Sequence, residues 1–145
     1  MQSISIKDLK VGDSAGTKRA FTQEDVDRFA AVTGDHNPAH VDEDYAKGTM
    51  FGTRIVHGML VASLFSAILG TQLPGLGTIY MGQSLRFTKP VHFDEEITAT
   101  ITVKELIPAK NRVVFDCLAV DPAGDTVLTG EATVMAPVIK EEVLA

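Results

Sequence analysis

The stretch "TGDHNPAHVD", Thr33 to Asp42, concentrates polar groups, several of them able to move protons: two aspartates and two of the four histidines of the chain, with an asparagine between them. Asp35 and His40 stand five positions apart. Pro38 stiffens the backbone between them, and Asn37 can bond neighbouring backbone groups and hold the turn. A carboxylate and an imidazole brought to one small volume suit general acid–base work. Histidine titrates near neutrality, and a desolvated acid beside it has its basicity tuned. The plainer reading of the same residues is a capped, locked turn. Gly34-Asp35 and Asn37-Pro38 are both turn-forming pairs, so irregular backbone is expected here, neither helix nor strand.

A second group lies in "IVHGM", where His57-Gly58 precedes a long apolar run. A helix beginning there would offer unpaired N–H groups and a positive dipole end. Gly58 would let an oxygen approach that backbone closely, and a carbonyl gaining negative charge would be stabilised. Alternatively, Gly58 serves tight packing of helix on sheet. His57 is read as a supporting group or a helix-entry cap. Asp35, His36, His40 and His57 could also be read as metal ligands. The proline and glycine argue against a helix that would align the histidines, and no second motif completes a tetrahedral set, so no metal is expected.

The elements that must position these groups follow from pattern. "GTKRAF" suits a short strand. Thr22 is a natural N-cap with acids in the first turn behind it, and Val26, Phe29, Ala30 and Thr33 form a helical stripe that Gly34 stops. "DEDYAKG" suits one or two helical turns, and "TMFGTRI" a loop. From Gly58 to about Thr71 the sequence is apolar on every side apart from Ser63 and Ser66, so something must wrap that helix. In "ITATITVKEL", Ile97, Ala99, Ile101 and Val103 alternate with polar residues, the period of a strand. "GTIYMGQSLRF", "RVVFDCLAV" and "TVLTGEATVM" are strand-like too, with "IPAKN" and "DPAGD" as connections. The expected architecture is α+β: a curved antiparallel sheet around one apolar helix, the hot-dog fold.

The chain has 145 residues, 45% of them hydrophobic, which suits a single domain spanning 1–145 with one core. A net charge of −6 argues against nucleic acid as the main partner and against a basic membrane-binding face. The long apolar run falls short of the ~20 residues of a spanning helix. The start "MQSISIKDLK" has no apolar core of signal-peptide length, and the single cysteine, Cys117, reads as a core thiol. A cytoplasmic protein is expected. His92 reads as a solvated strand end. Arg86, Lys89, Lys110 and Arg112 are strand-edge charges that could also meet phosphates.

"FAAVTGDHNPAHVDEDYA" resembles the hydratase motif of the MaoC-like (R)-specific enoyl-CoA hydratases, keeping its Gly-Asp-x-Asn-Pro-x-His core. "RIVHGMLVASLFSAILGTQLPGLGTIYMGQSLRFTKPV" is similar to the same family, particularly the single-domain members that feed polyhydroxyalkanoate synthesis. The resemblance implies a hot-dog homodimer acting on an acyl-CoA thioester, with no cofactor beyond the CoA of the substrate. It implies Asp35 and His40 as the catalytic pair, the Gly58 N–H in an oxyanion hole, and a nearby serine on the central helix. By register that serine is Ser66, with Ser63 less favoured and helix packing the plain alternative for both. Tyr45, Met50 and Phe51 are expected to close the acyl pocket, with Met81 a further candidate for its lining.

Overall fold

Period-two burial organises the second half of the chain. The computed structural model describes residues 1–139. Residues 140–145, the end of the expected domain, lie outside the described residues. Strand β3 (Glu96–Ile107) turns Ile97, Ala99, Ile101 and Val103 inward, each at most 1% exposed. β4 (Arg112–Val120) does the same with Val113, Phe115, Cys117 and Ala119. β5 (Thr126–Met135) adds Leu128, Ala132 and Val134. With β1 (Ser14–Ala20) and β2 (Ile79–Phe87) they form one antiparallel sheet in the order β1-β3-β4-β5-β2. Phe115 lies opposite Val103 on one side and Ala132 on the other, so large and small residues interlock at the centre.

Helix α1 (Gln23–Thr33) starts as its sequence asks. The Thr22 hydroxyl accepts the Asp25 N–H at 3.1 Å, and the Asp25 carboxylate accepts the Thr22 N–H at 2.9 Å. Gly34 ends it in the left-handed region at φ 79°, donating its N–H to the Ala30 carbonyl. Of the expected stripe, Val26 and Ala30 are buried, Phe29 is half-buried and Thr33 is exposed. The Thr33 hydroxyl donates to the Phe29 carbonyl and accepts the Asp35 N–H, carrying the helix end directly into the turn that follows.

The long apolar helix α4 (Gly58–Thr71) lies on the sheet and buries Val61, Ala62, Leu64, Phe65, Ile68 and Leu69. It is not wrapped on all sides. Met59 is 59% exposed, and Ser63, Ser66 and Ala67 share the open face. Five strands curve over one side of a helix only, and among the described residues nothing equivalent lies opposite. A groove lined by Phe29, Val32, Leu60, Ser63 and Ala67 runs between α1 and that open face. Among the described residues no helix is long and apolar enough to cross a membrane.

Candidate active site

Asp35 and His40 come to one place, by way of a helix that the turn-forming residues seemed to forbid. Pro38–Val41 makes a single turn, α2, and Glu43–Lys47 a second short helix, α3. The expectation of wholly irregular backbone is thus corrected. Asn37 caps α2 by accepting the Ala39 N–H at 3.1 Å. Proline at the first helical position loses no bond, because that N–H would have no helical acceptor. The residues that make a turn here make it as a helix start.

One turn of helix cannot hold itself. His40 is fixed from outside: its Nδ1 lies 2.8 Å from the Ile55 carbonyl. A carbonyl only accepts, so Nδ1 carries the proton and Nε2 is left as the free ring nitrogen. His57, only 1% exposed, places Nε2 3.0 Å from the Asp35 carbonyl and must donate there by the same argument. Its Nδ1 is buried with no hydrogen-bond partner among the described residues. The two imidazoles are stacked, centroids 4.0 Å apart and planes 26° apart, with Phe29 tilted against His57. Burial, chiefly, pushes the His57 pKa below its ordinary value; the bond to the Asp35 backbone opposes this, and the charge on His40 adds to it. His57 is therefore a neutral platform under His40, bonded to the backbone of Asp35. It stands at the N-cap position of α4 but caps no N–H with its side chain.

Asp35, His40 and His57 offer ligand atoms within 4.8 Å of one another. Each ring already commits one nitrogen to a carbonyl, so each imidazole has one nitrogen left that a metal could use. His36, the fourth candidate, is outside this group.

A cavity of about 470 Å³ opens beside the pair. Asp35, His40, His57 and Gly58 stand at its wall, and Phe51, Ile55, Val61, Phe87, Val127 and Leu128 make it apolar. The first N–H groups of α4, on Gly58 and Met59, have no acceptor within the helix, and both residues line this cavity. A Cβ on Gly58 would stand 2.6 Å from Cε1 of Phe87, so the packing reading of Gly58 is supported: a side chain there would push that ring aside.

Other expected residues fall elsewhere. Ser66 is exposed on the open face of α4, away from the cavity wall, and the Ser63 hydroxyl donates to the Leu60 carbonyl. Within one chain neither serine meets the pair. Tyr45 and Met50 are 53% and 93% exposed and line no part of the cavity, and Met81 on β2 likewise faces out; of the expected pocket residues only Phe51 lines it. His92 is no free strand end. It is half-buried, with Nδ1 3.1 Å from the Glu95 carboxylate and Nε2 3.3 Å from the Phe51 carbonyl. Lys89 lies at the cavity, but Asp121 and Asp125 bond its ammonium at 2.5 and 2.9 Å, so its charge is already matched.

The residue that sequence reasoning passed over is Arg54. It is 7% exposed, with Nε–H donating to the His40 carbonyl at 2.6 Å and Nη2–H to Asp27 at 2.5 Å. The only signal in the sequence was a charge placed immediately before the apolar "IVHGM".

A sheet curved over an apolar helix, with a carboxylate and an imidazole at the wall of an apolar cavity, defines a hot-dog domain. The chain belongs to the MaoC-like domain family, whose pattern matches residues 9–117. An (R)-specific enoyl-CoA hydratase of Rhodospirillum rubrum is 50% identical over 131 residues, 90% of each chain. The solved structure of the (R)-hydratase of Aeromonas caviae involved in PHA biosynthesis matches with a TM-score of 0.88 at 44% identity, covering 90% of this chain and 99% of that one. A mitochondrial 3-hydroxyacyl-(acyl-carrier-protein) dehydratase of Arabidopsis thaliana is 37% identical over 132 residues, 89% of this chain and 78% of that one.

Proposed function

We propose that this chain is an (R)-specific enoyl-CoA hydratase, adding water reversibly to a trans-2-enoyl-CoA to give the (3R)-3-hydroxyacyl-CoA. The observation that carries the reading is that the Asp35 carboxylate and a ring nitrogen of His40 lie within 4.8 Å of each other at the wall of an apolar cavity. The half-identical hydratase relative supports it. One member of the Asp35–His40 pair takes a proton from water as the oxygen bonds C3, and the other delivers a proton to C2 as the double bond is lost. Both carbons are served from one side, so addition is syn. The N–H of Gly58 at the start of α4 stabilises the enolate-like thioester oxygen. Asn37 and His57 support the pair. The chemistry takes no metal and no cofactor beyond the CoA carried by the substrate.

The working species is a homodimer in the cytoplasm. The open face of α4, the apolar groove beside it and the edge strand β2, where Ile79 is 54% and Phe87 53% exposed, are surfaces that a second copy would cover. In that assembly Ser66, remote from the pair of its own chain, is free to approach the pair of the other. Phe51 closes the acyl end of the cavity.

A second reading is dehydration of a hydroxyacyl group held on acyl carrier protein, favoured by the similarity to the plant enzyme. The net charge of −6 weighs against docking an acidic carrier. A protein that only binds acyl-CoA would not need the acid–base pair. Incubation with crotonyl-CoA, with and without a strong chelator, should lower the conjugated-thioester absorbance equally, and chiral analysis should return the (3R) product. Turnover only of carrier-bound substrate would favour the second reading. Activity lost to chelator and restored by zinc would overturn the metal-free mechanism.

A further inference from the structure

His40 stands on a helix of four residues, Pro38–Val41, too short to be ordered by its own hydrogen bonds. Its pose must come from the segment that faces it, and three bonds join the two. The Ile55 N–H donates to the Ala39 carbonyl at 3.2 Å, the His40 Nδ1–H to the Ile55 carbonyl at 2.8 Å, and the Arg54 Nε–H to the His40 carbonyl at 2.6 Å. The guanidinium that makes the third bond is nearly buried, lies 5.0 Å from the Phe93 ring centroid and pairs with Asp27 on α1. A buried cation is costly unless well paired, so packing alone gives no reason for arginine here. What arginine does supply is a rigid planar fork that reaches α1 and α2 together and bonds the peptide of His40 itself.

We infer that Arg54 is a positioning residue for the proton-transfer pair: by gripping the His40 carbonyl it holds the imidazole so that Nδ1 stays on Ile55 and Nε2 stays at the cavity. The inference rests on the reading of His40 as a proton-transfer group. Arg54 itself lines no part of the cavity. Losing its grip should lower the rate of the chemical step and leave substrate binding alone.

Three variants separate this from a merely structural ion pair. Arg54→Lys keeps the charge but not the fork; Arg54→Met removes both; Asp27→Asn removes the partner and leaves the Arg54–His40 bond. With crotonyl-CoA, Arg54→Lys and Arg54→Met should lose ~10- to 100-fold in kcat, the scale of a small misplacement of reacting groups, with KM little changed. Asp27→Asn should melt lower while keeping kcat within a few-fold. Nitrogen-15 imidazole spectra should show the Nδ1–H tautomer of His40 in the wild type and a tautomer mixture in Arg54→Lys. Wild-type kcat in Arg54→Lys, a loss confined to KM, or an unchanged His40 tautomer would each overturn the proposal. Should Arg54→Met fail to fold, the Lys and Asn variants decide it. If the wild type leaves crotonyl-CoA untouched, the hydratase reading fails, while the tautomer spectra still judge the role of Arg54.

Discussion

The interior of the sheet and the segment from Thr33 to His57 are ordered by different forces. On β3, β4 and β5 the inward side chains are apolar and fully buried, and their order comes from close packing. Between Thr33 and His57 only Ala46, Arg54, Ile55, Val56 and His57 are buried. Order there comes from directional bonds: Asn37 on Ala39, Asp42 on Tyr45, Thr53 and Arg54 on Glu43, His40 on Ile55, Arg54 on His40. Each such bond contributes only ~0.5–1.5 kcal/mol net, but each fixes an angle as well as a distance. The sheet therefore carries the stability and the segment carries the geometry. Stability and turnover should be breakable separately.

The largest effect tests the second half of that statement. Asp35→Asn and His40→Ala should each lower the rate of crotonyl-CoA hydration by ~10²–10⁴-fold, with thermal unfolding close to wild type. A folded variant with near-normal turnover would remove its residue from the pair. Phe115→Ala tests the first half. It should cost ~3–5 kcal/mol in a denaturant titration, while the folded fraction keeps its kcat. A loss of kcat per folded molecule would mean that the sheet also tunes the site.

Smaller changes sharpen the division. Phe51 is half-buried at the cavity wall, and its carbonyl lies near His92. Phe51→Ala should raise the relative specificity constant for an eight-carbon enoyl-CoA by ~10- to 200-fold, since a methylene in an apolar pocket is worth ~1–3 kcal/mol. A chain-length profile left unaltered would move the acyl end elsewhere in the cavity.

The smallest effect concerns His57. Its pKa in the fold lies below the ordinary 6.5, so between those two values the unfolded chain binds more protons than the native one. Stability should fall as pH drops from about 6.5 toward the native value and level off below it. His57→Phe keeps an aromatic ring under His40 and removes this contribution. Urea midpoints at pH 7.5 and pH 5 should differ more for the wild type than for the variant. An equal difference in both would mean that His57 is charged in the native protein.

Much of the local structure was legible because its causes are local. The Thr22 cap, the Gly34 stop and the alternation of Ile97, Ala99, Ile101 and Val103 involve residues within a turn or a strand of one another, and spacing alone expresses them. The co-location of Asp35 and His40 was legible for the same reason. The helical form of Pro38–Val41 was misread because its residue types suit a turn and a helix start equally. The wrapping of α4 was misread because composition reports how apolar a helix is, not how far one sheet reaches around it.

The sequence by itself determined the strands, the caps, the acid–imidazole pair and the glycine at the head of α4. Only the tertiary structure decided which nitrogen of His40 is free, that His57 lies flat beneath it, that Phe87 packs on Gly58, and that Ser66 points away from the pair of its own chain. It alone decided that Arg54 reaches across to Asp27, and that Lys89 is held by Asp121 and Asp125. These contacts join residues that are 15 to 36 positions apart where a side-chain bond links them. Short-range spacing sets neither their distance nor their direction. Both depend on how the sheet curves and where it delivers each loop.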